Sequence, residues 1–162
     1  MKSPQRILVP IDMSVFSITA LQYAEDVAEH FGAEIAVVHV VEHETQSAKA
    51  AEADSEAEAE QALRSTIARM LLDHNVVHQS LRIELRHGSP AQEIVKASQE
   101  IHADLIIMCT HGRSGLSHVL MGSVAERVVR RSPCPVLTIK PDEFSELINV
   151  TEEDISEGLH LE

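Results

Sequence analysis

The residues best suited to chemistry lie between positions 109 and 135, CTHGRSGLSHVLMGSVAERVVRRSPCP. This stretch holds Gly112, Gly115 and Gly122 beside Arg113, Arg127, Arg130 and Arg131. It follows the apolar run Leu105-Ile106-Ile107-Met108 and leads into a helix-like segment. Glycines permit close backbone approaches that a side chain blocks. A helix beginning at Gly122-Ser123-Val124 would offer unpaired N–H groups and the positive end of its dipole. The Ser123 hydroxyl adds a donor, and Arg113 or Arg127 could supply full charge. The natural occupant is a phosphate; the plain alternative is a glycine-rich turn. The segment is neither a P-loop nor a dinucleotide fingerprint, because G-x-x-x-x-G-K-[ST] and G-x-G-x-x-G are both absent.

Other residue types say less. The ten histidines show no metal-ligand spacing, so no protein-built metal site is expected. Cys109 and Cys134 do not make a disulfide framework. Cys109, close in sequence to a helix start, could have a lowered pKa and a redox role; the alternative is an inert small residue of the core. Asp12, just after an apolar run, either touches ligand or caps the following turn. Arg130 and Arg131 suit the negative end of a helix dipole.

These residues need elements to hold them, and the periodicity supplies them. Arg6–Ile11 is a short apolar run after its first residue, stopping at Asp12, and Glu34–Val41 is apolar but for Glu34 and His39; both read as buried strands. Between them, Ile18, Leu21, Ala24, Val27, Ala28 and Phe31 recur at helical spacing from Ser17 to a stop at Gly32. Residues 46–75 read as a long helix, with Leu63, Ile67, Met70 and Leu71 on one stripe. His78 to Arg86 reads as a third strand. Ser89-Pro90-Ala91-Gln92 has the form of a capped helix start, with Gln92 able to close a capping box, and that helix runs to about Ile101. Asp104 to Cys109, Gly122 to Arg131 and Val136 to Lys140 then give a strand, a helix and a fifth strand. Strands that are apolar throughout and alternate with helices imply a parallel sheet covered on both faces. In such a sheet ligands bind beyond the carboxyl ends of the strands, where strand order reverses.

The 162 residues and 44% apolar composition suit one domain with one core. The net charge of −13 is unevenly spread. Residues 42–60 and 142–162 together carry 15 of the 26 acids and one of the 13 bases, leaving 11 acids and 12 bases elsewhere. Acidic runs of this kind are usually solvated faces or ends, and they argue against nucleic acid, whose phosphates need a basic surface. No apolar run approaches the roughly 20 residues that span a bilayer. The expectation is a cytoplasmic protein with a domain over 1–141 and an acidic tail over 142–162.

The order Leu8-Val9-Pro10-Ile11-Asp12, Val38-His39-Val40, Gly88-Ser89-Pro90, Thr110-His111-Gly112-Arg113-Ser114-Gly115, Gly122-Ser123-Val124-Ala125-Glu126-Arg127-Val128 and Ser132-Pro133-Cys134-Pro135-Val136-Leu137 resembles the universal stress protein family, over residues 4–141. The resemblance implies an open five-stranded α/β sheet of order 3-2-1-4-5, Rossmann-like, with helices on both faces. The ATP-binding members share a signature, G-x₂-G-x₉-G-[ST]. Here Gly112 and Gly122-Ser123 match it, and Cys109 replaces its first glycine.

The resemblance carries roles onto matching positions. Pro10 and Asp12 fall at the end of the first strand, with Asp12 near ribose and the phosphate-bound metal. Val40 meets the adenine edge through its backbone. Met108 and Cys109 border sugar and base. Gly112, Arg113, Gly122, Ser123 and Val124 belong to the phosphate cradle. The implied cofactor is ATP, with Mg²⁺ arriving on the nucleotide. No catalytic residue is assigned, since metal or ribose contact would occupy Asp12, so slow hydrolysis is the most to expect. The alternative is a nucleotide-free protein-interaction module whose site Cys109 weakens. A phospho-receiver is excluded, because its acceptor aspartate would fall where Arg86-His87-Gly88 stands. A homodimer through the fifth strand, Val136, Leu137, Thr138 and Ile139, follows from the apolar edge it would leave.

Overall fold

The computed structural model describes residues 3–42, 53–76, 79–110 and 121–140. Five strands alternate with four helices: β1 (Arg6–Ile11), α1 (Val15–Phe31), β2 (Glu34–Val41), α2 (Ala53–Asp73), β3 (Leu81–His87), α3 (Pro90–Glu100), β4 (Leu105–Cys109), α4 (Ser123–Arg131) and β5 (Val136–Ile139). All strand pairs are parallel, and the sheet order is β3-β2-β1-β4-β5. From β1 the chain steps outward twice to β3, then returns across β1 to β4 and continues the other way to β5. That reversal sends α1 and α2 to one face and α3 and α4 to the other, because parallel crossovers keep one hand.

Side-chain alternation along the strands builds both cores. Ile7, Val9, Ile35, Val37 and Ile107 point towards α1 and α2, where they bury Leu21, Ala24, Ala28, Ile67 and Leu71. Leu8, Ala36, Val38, Ile106 and Met108 point the other way, onto Ala91, Ile94, Ala97, Ala125 and Val128. With so few aromatics, small alanines on the helices let α1 and α3 lie close on the sheet. Each large aliphatic side chain fully buried in this way contributes on the order of 2 kcal/mol.

The helix ends are fixed by local chemistry. Ser14 caps α1, its hydroxyl accepting from the Ser17 N–H (3.4 Å), and Gly32 ends that helix in the left-handed region at φ 68°. Asn75 and His102 take the same conformation just after α2 and α3. Asp104 is a turn residue rather than the start of β4: its Oδ2 accepts from the N–H groups of Gln5 and Arg6, both at 3.0 Å. This clamps the entry of β1 beside β4.

Three expectations need correction. The capping box at Ser89 does not form: its side chain makes no capping bond, and its carbonyl instead accepts from Gln92 and Glu93 N–H, both at 3.0 Å. The third strand begins later than His78, at Leu81, and β5 ends at Ile139 before Lys140. Within the long second helix, residues 46–52 lie outside the described residues, as does the acidic tail from 141 onwards.

Candidate functional site

The carboxyl ends of β2 and β3 and the amino ends of α3 and α4 surround an open cleft of about 320 Å³. Glu42, Gly88, Ser89, Pro90 and Ala91 form one side, and Ser123, Val124 and Arg127 the other. The cleft lies on the α3/α4 side of the sheet.

Its α4 wall is set by Gly122. The Gly122 N–H donates to the Thr110 carbonyl at 2.6 Å, so the end of β4 and the start of α4 are fastened together. A Cβ on Gly122 would lie 3.1 Å from that same carbonyl oxygen, leaving hydrogen as the side chain that fits without a shift. The φ of Gly122 is −65°, so the constraint is space and not backbone conformation. Gly122 is also the N-cap of α4 and has no side chain to satisfy the first-turn donors. On the other wall Gly88 has φ 134°, a conformation that favours glycine, and its N–H donates to the Val41 carbonyl at 3.0 Å. This turns the chain sharply from β3 into α3.

Two helices thus begin at one cleft, and neither has a side-chain cap among the described residues. Each contributes roughly half a positive charge at its amino end. Arg127, one turn into α4, adds a full charge, while Arg130 is paired with Glu126 at 3.0 Å. This donor set fits an anion carrying several oxygens. It also fits the phosphates of a nucleotide, since the glycine at the α4 start keeps the helix end close to β4. No group of three or more histidine, cysteine or acidic side chains is placed to hold a metal ion among the described residues.

The residues singled out from the sequence are placed as follows. Ser123 and Val124 line the cleft, and Gly122 stands directly behind them. Val40 lies near the end of β2, half-buried against the α3/α4 core, two residues before Glu42. Pro10 is in β1, paired in register with Val38. Asp12 follows β1, and its Oδ1 accepts from the Ser14 N–H (3.1 Å) and hydroxyl (2.5 Å), so it organises the turn into α1. Between them Met13 has φ 65°, an uncommon conformation for a residue with a side chain. The ring of His39 lies 2.9 Å from the Ile11 carbonyl through Nδ1. A carbonyl only accepts, so Nδ1 carries the proton. Pro10, Asp12, Val40, Met108 and Cys109 do not line the cleft. Gly112 and Arg113 lie outside the described residues.

Cys109 requires a correction. Its side chain turns towards α1, not towards the start of α4, with Sγ 2.6 Å from the Phe16 carbonyl. Burial, helped by the nearby Asp12 carboxylate, pushes the thiol up to about 11. The expected lowering by a helix dipole does not occur, because strand alternation points the side chain to the opposite face. Positive φ among the described non-glycine residues is confined to Met13, Asn75 and His102, so Cys109 carries no left-handed strain.

Sequence reasoning missed the α3 wall as a site. The signal was present in Gly88-Ser89-Pro90, read as a helix start and as one motif of the family resemblance but not as a wall of the site. Strand order 3-2-1-4-5 places α3 and α4 on one face, which brings their amino ends together.

The architecture is that of an α/β protein built on an open parallel sheet, with a cleft at the amino ends of α3 and α4. Residues 4–140 match the universal stress protein family model, and the chain belongs to that family. Universal stress protein MJ0531 of Methanocaldococcus jannaschii is 35% identical over 143 residues, covering 84% of this chain and 82% of its own. Among solved structures, hypothetical protein MJ0577 matches with a TM-score of 0.74 at 26% identity, over 86% of this chain and 98% of that one. A universal stress protein solved in complex with cAMP matches with a TM-score of 0.64 at 23% identity, covering 86% and 98%, a likeness of fold.

Proposed function

We propose that this universal stress protein binds Mg-ATP, with the phosphates at the joint amino ends of α3 and α4, and acts as a cytoplasmic stress-response module with little or no turnover. The observation that carries this reading is the pair of helix starts that open, without side-chain caps, onto one cleft containing Arg127. The sequence signature at Gly112 and Gly122-Ser123 supports the same ligand. Low turnover follows from the side chains at hand. The acid after β1, Asp12, is bonded to Ser14, and among the described residues that line the cleft the acid is Glu42. ATP would bring the chemistry of a triphosphate with its Mg²⁺; the chain's part is to bind and orient it.

Cys109 is the one departure from the nucleotide signature, and it favours a nucleotide-free interaction module. Its side chain faces α1, so it takes no room from the cleft, and the ATP reading leads. The same reading pairs two copies through β5, whose outer edge no strand among the described residues covers.

Thermal unfolding with and without saturating Mg-ATP tests the proposal. A ligand held only by the folded state raises Tm in proportion to the logarithm of its concentration. The expected result is a rise of several degrees in wild type and none in Gly122→Glu. An unchanged wild-type Tm at millimolar Mg-ATP would reject it.

A further inference from the structure

The two outer strands of the sheet are finished differently. At β3 the register fixes which backbone groups point away from β2. The Ile35 N–H donates to the Ser80 carbonyl at 3.4 Å, and the Gly88 N–H donates to the Val41 carbonyl at 3.0 Å. With Ile35 opposite Leu81 and Val41 opposite His87, the even-numbered residues of β3 bond to β2. Leu81, Ile83 and Leu85 therefore turn their N–H and carbonyl groups outward, where a further strand would add. The Ile83 carbonyl, in the middle of that row, is already engaged: Arg64 of α2 donates to it through Nη1 at 2.7 Å. An added strand would lie about 4.8 Å from β3, with its own N–H where the guanidinium now stands.

The surroundings of β3 work in the same direction. Gln61, Ser65 and Ala68 of α2 stand with Arg64 along Leu81 and Ile83, around a groove of about 310 Å³. Leu81, Ile83 and Leu85 pack on the α1/α2 core, so Arg82, Glu84 and Arg86 occupy the opposite face of the strand. There Arg86 is paired with Glu84 at 3.1 Å and with Glu100 at 2.6 Å. β5, at the other edge, reads Val136-Leu137-Thr138-Ile139 and carries no charged side chain. We infer that Arg64 is an edge guard: it closes β3 to strand addition by a second copy of this chain. An incoming backbone would have to displace the guanidinium from a carbonyl that it already satisfies. Bare edges template edge-to-edge association, and charge and cover are the usual means of blunting them. Closure of β3 is independent of the nucleotide reading and of pairing through β5.

Light scattering and peptide-level hydrogen exchange on the full chain, wild type beside Arg64→Met, test this. Methionine keeps a long unbranched stem and a good helix propensity while removing the donor. At high protein concentration Arg64→Met should reach about twice the wild-type particle mass or more, as when one further edge pairs about a two-fold. Exchange across residues 81–87 should slow in step with that growth, and in wild type it should not change with concentration. An Arg64→Met protein with a native circular dichroism spectrum and the wild-type mass at every concentration would overturn the inference. So would growth without slowed exchange over residues 81–87. Concentration-dependent protection of those residues in wild type would overturn it as well, and that reading needs no variant to fold.

Discussion

The backbone N–H of Gly122 and the carbonyl of Thr110 meet at 2.6 Å, joining the end of β4 to the start of α4 with no room for a side chain between them. Since a Cβ would sit 3.1 Å from that oxygen, Gly122→Ala must push α4 away from β4 by a few tenths of an ångström. The obstacle is backbone, which yields less readily than a flexible side chain. Gly122→Ala should cost about 1 kcal/mol and lower Tm by a few degrees. Scanning calorimetry checks this; an unchanged or raised Tm would mean that the contact relaxes freely.

At Met13 the size of the expected change depends on side-chain shape. Its φ of 65° is tolerable for an unbranched residue and poor for a β-branched one. Met13→Val should destabilise by about 2 kcal/mol, combining backbone strain with loss of packing. Met13→Gly loses more packing of this partly buried side chain but relieves the backbone strain, and should be the milder change. Urea titrations of the two variants would contradict this if their order were reversed.

The Cys109 thiol links stability to alkaline pH. Its folded-state pKa is raised from 9.0 to about 11, so the folded protein keeps a proton that the unfolded chain gives up. Its contribution is complete below about pH 9 and is lost as pH rises towards 11, because stability falls wherever the native state binds more protons. Cys109→Ala should flatten that part of the stability profile. Urea midpoints at pH 8, 9.5 and 10.5 provide the comparison, and parallel profiles for the two proteins would contradict the assignment.

Dimerisation through β5 has a specific requirement. The bonds from Ile106 N–H to Pro135 and from Thr110 N–H to Ile139 show that odd-numbered residues of β5 face β4. By alternation Val136 and Thr138 present their backbone outward. Thr138→Pro removes an outward donor and spares the β4 ladder. It should give monomers by light scattering with the fold intact by circular dichroism; a persistent dimer would exclude this edge.

The fold was legible wherever burial is complete. β1 and β2 are closely bounded in the sequence because the apolar run of β1 stops at Asp12 and that of β2 follows the helix stop at Gly32. β3 is less clear, since an edge strand that is half-buried along its length alternates weakly. Ser89 looks like a capping box because the residue types are right, yet its carbonyl takes those bonds. Of the candidate site, Ser123 and Val124 were legible as residues that line the cleft, because their types and position carry the signal. Glu42 and the α3 wall were not, because their part in the cleft arises from strand order and not from any local motif. Cys109 shows the same limit: nearness in sequence suggested the helix dipole, and the pleat of β4 points the thiol to the other face.

The most direct measurement is a calorimetric titration of the full chain with Mg-ATP, run beside Gly122→Glu and Cys109→Gly. Wild type should bind at the micromolar level, Gly122→Glu should show no heat of binding, and Cys109→Gly should bind within a few-fold of wild type because its side chain faces away from the cleft. Silence from wild type with binding restored in Cys109→Gly would contradict the account and make the nucleotide-free interaction module the better description.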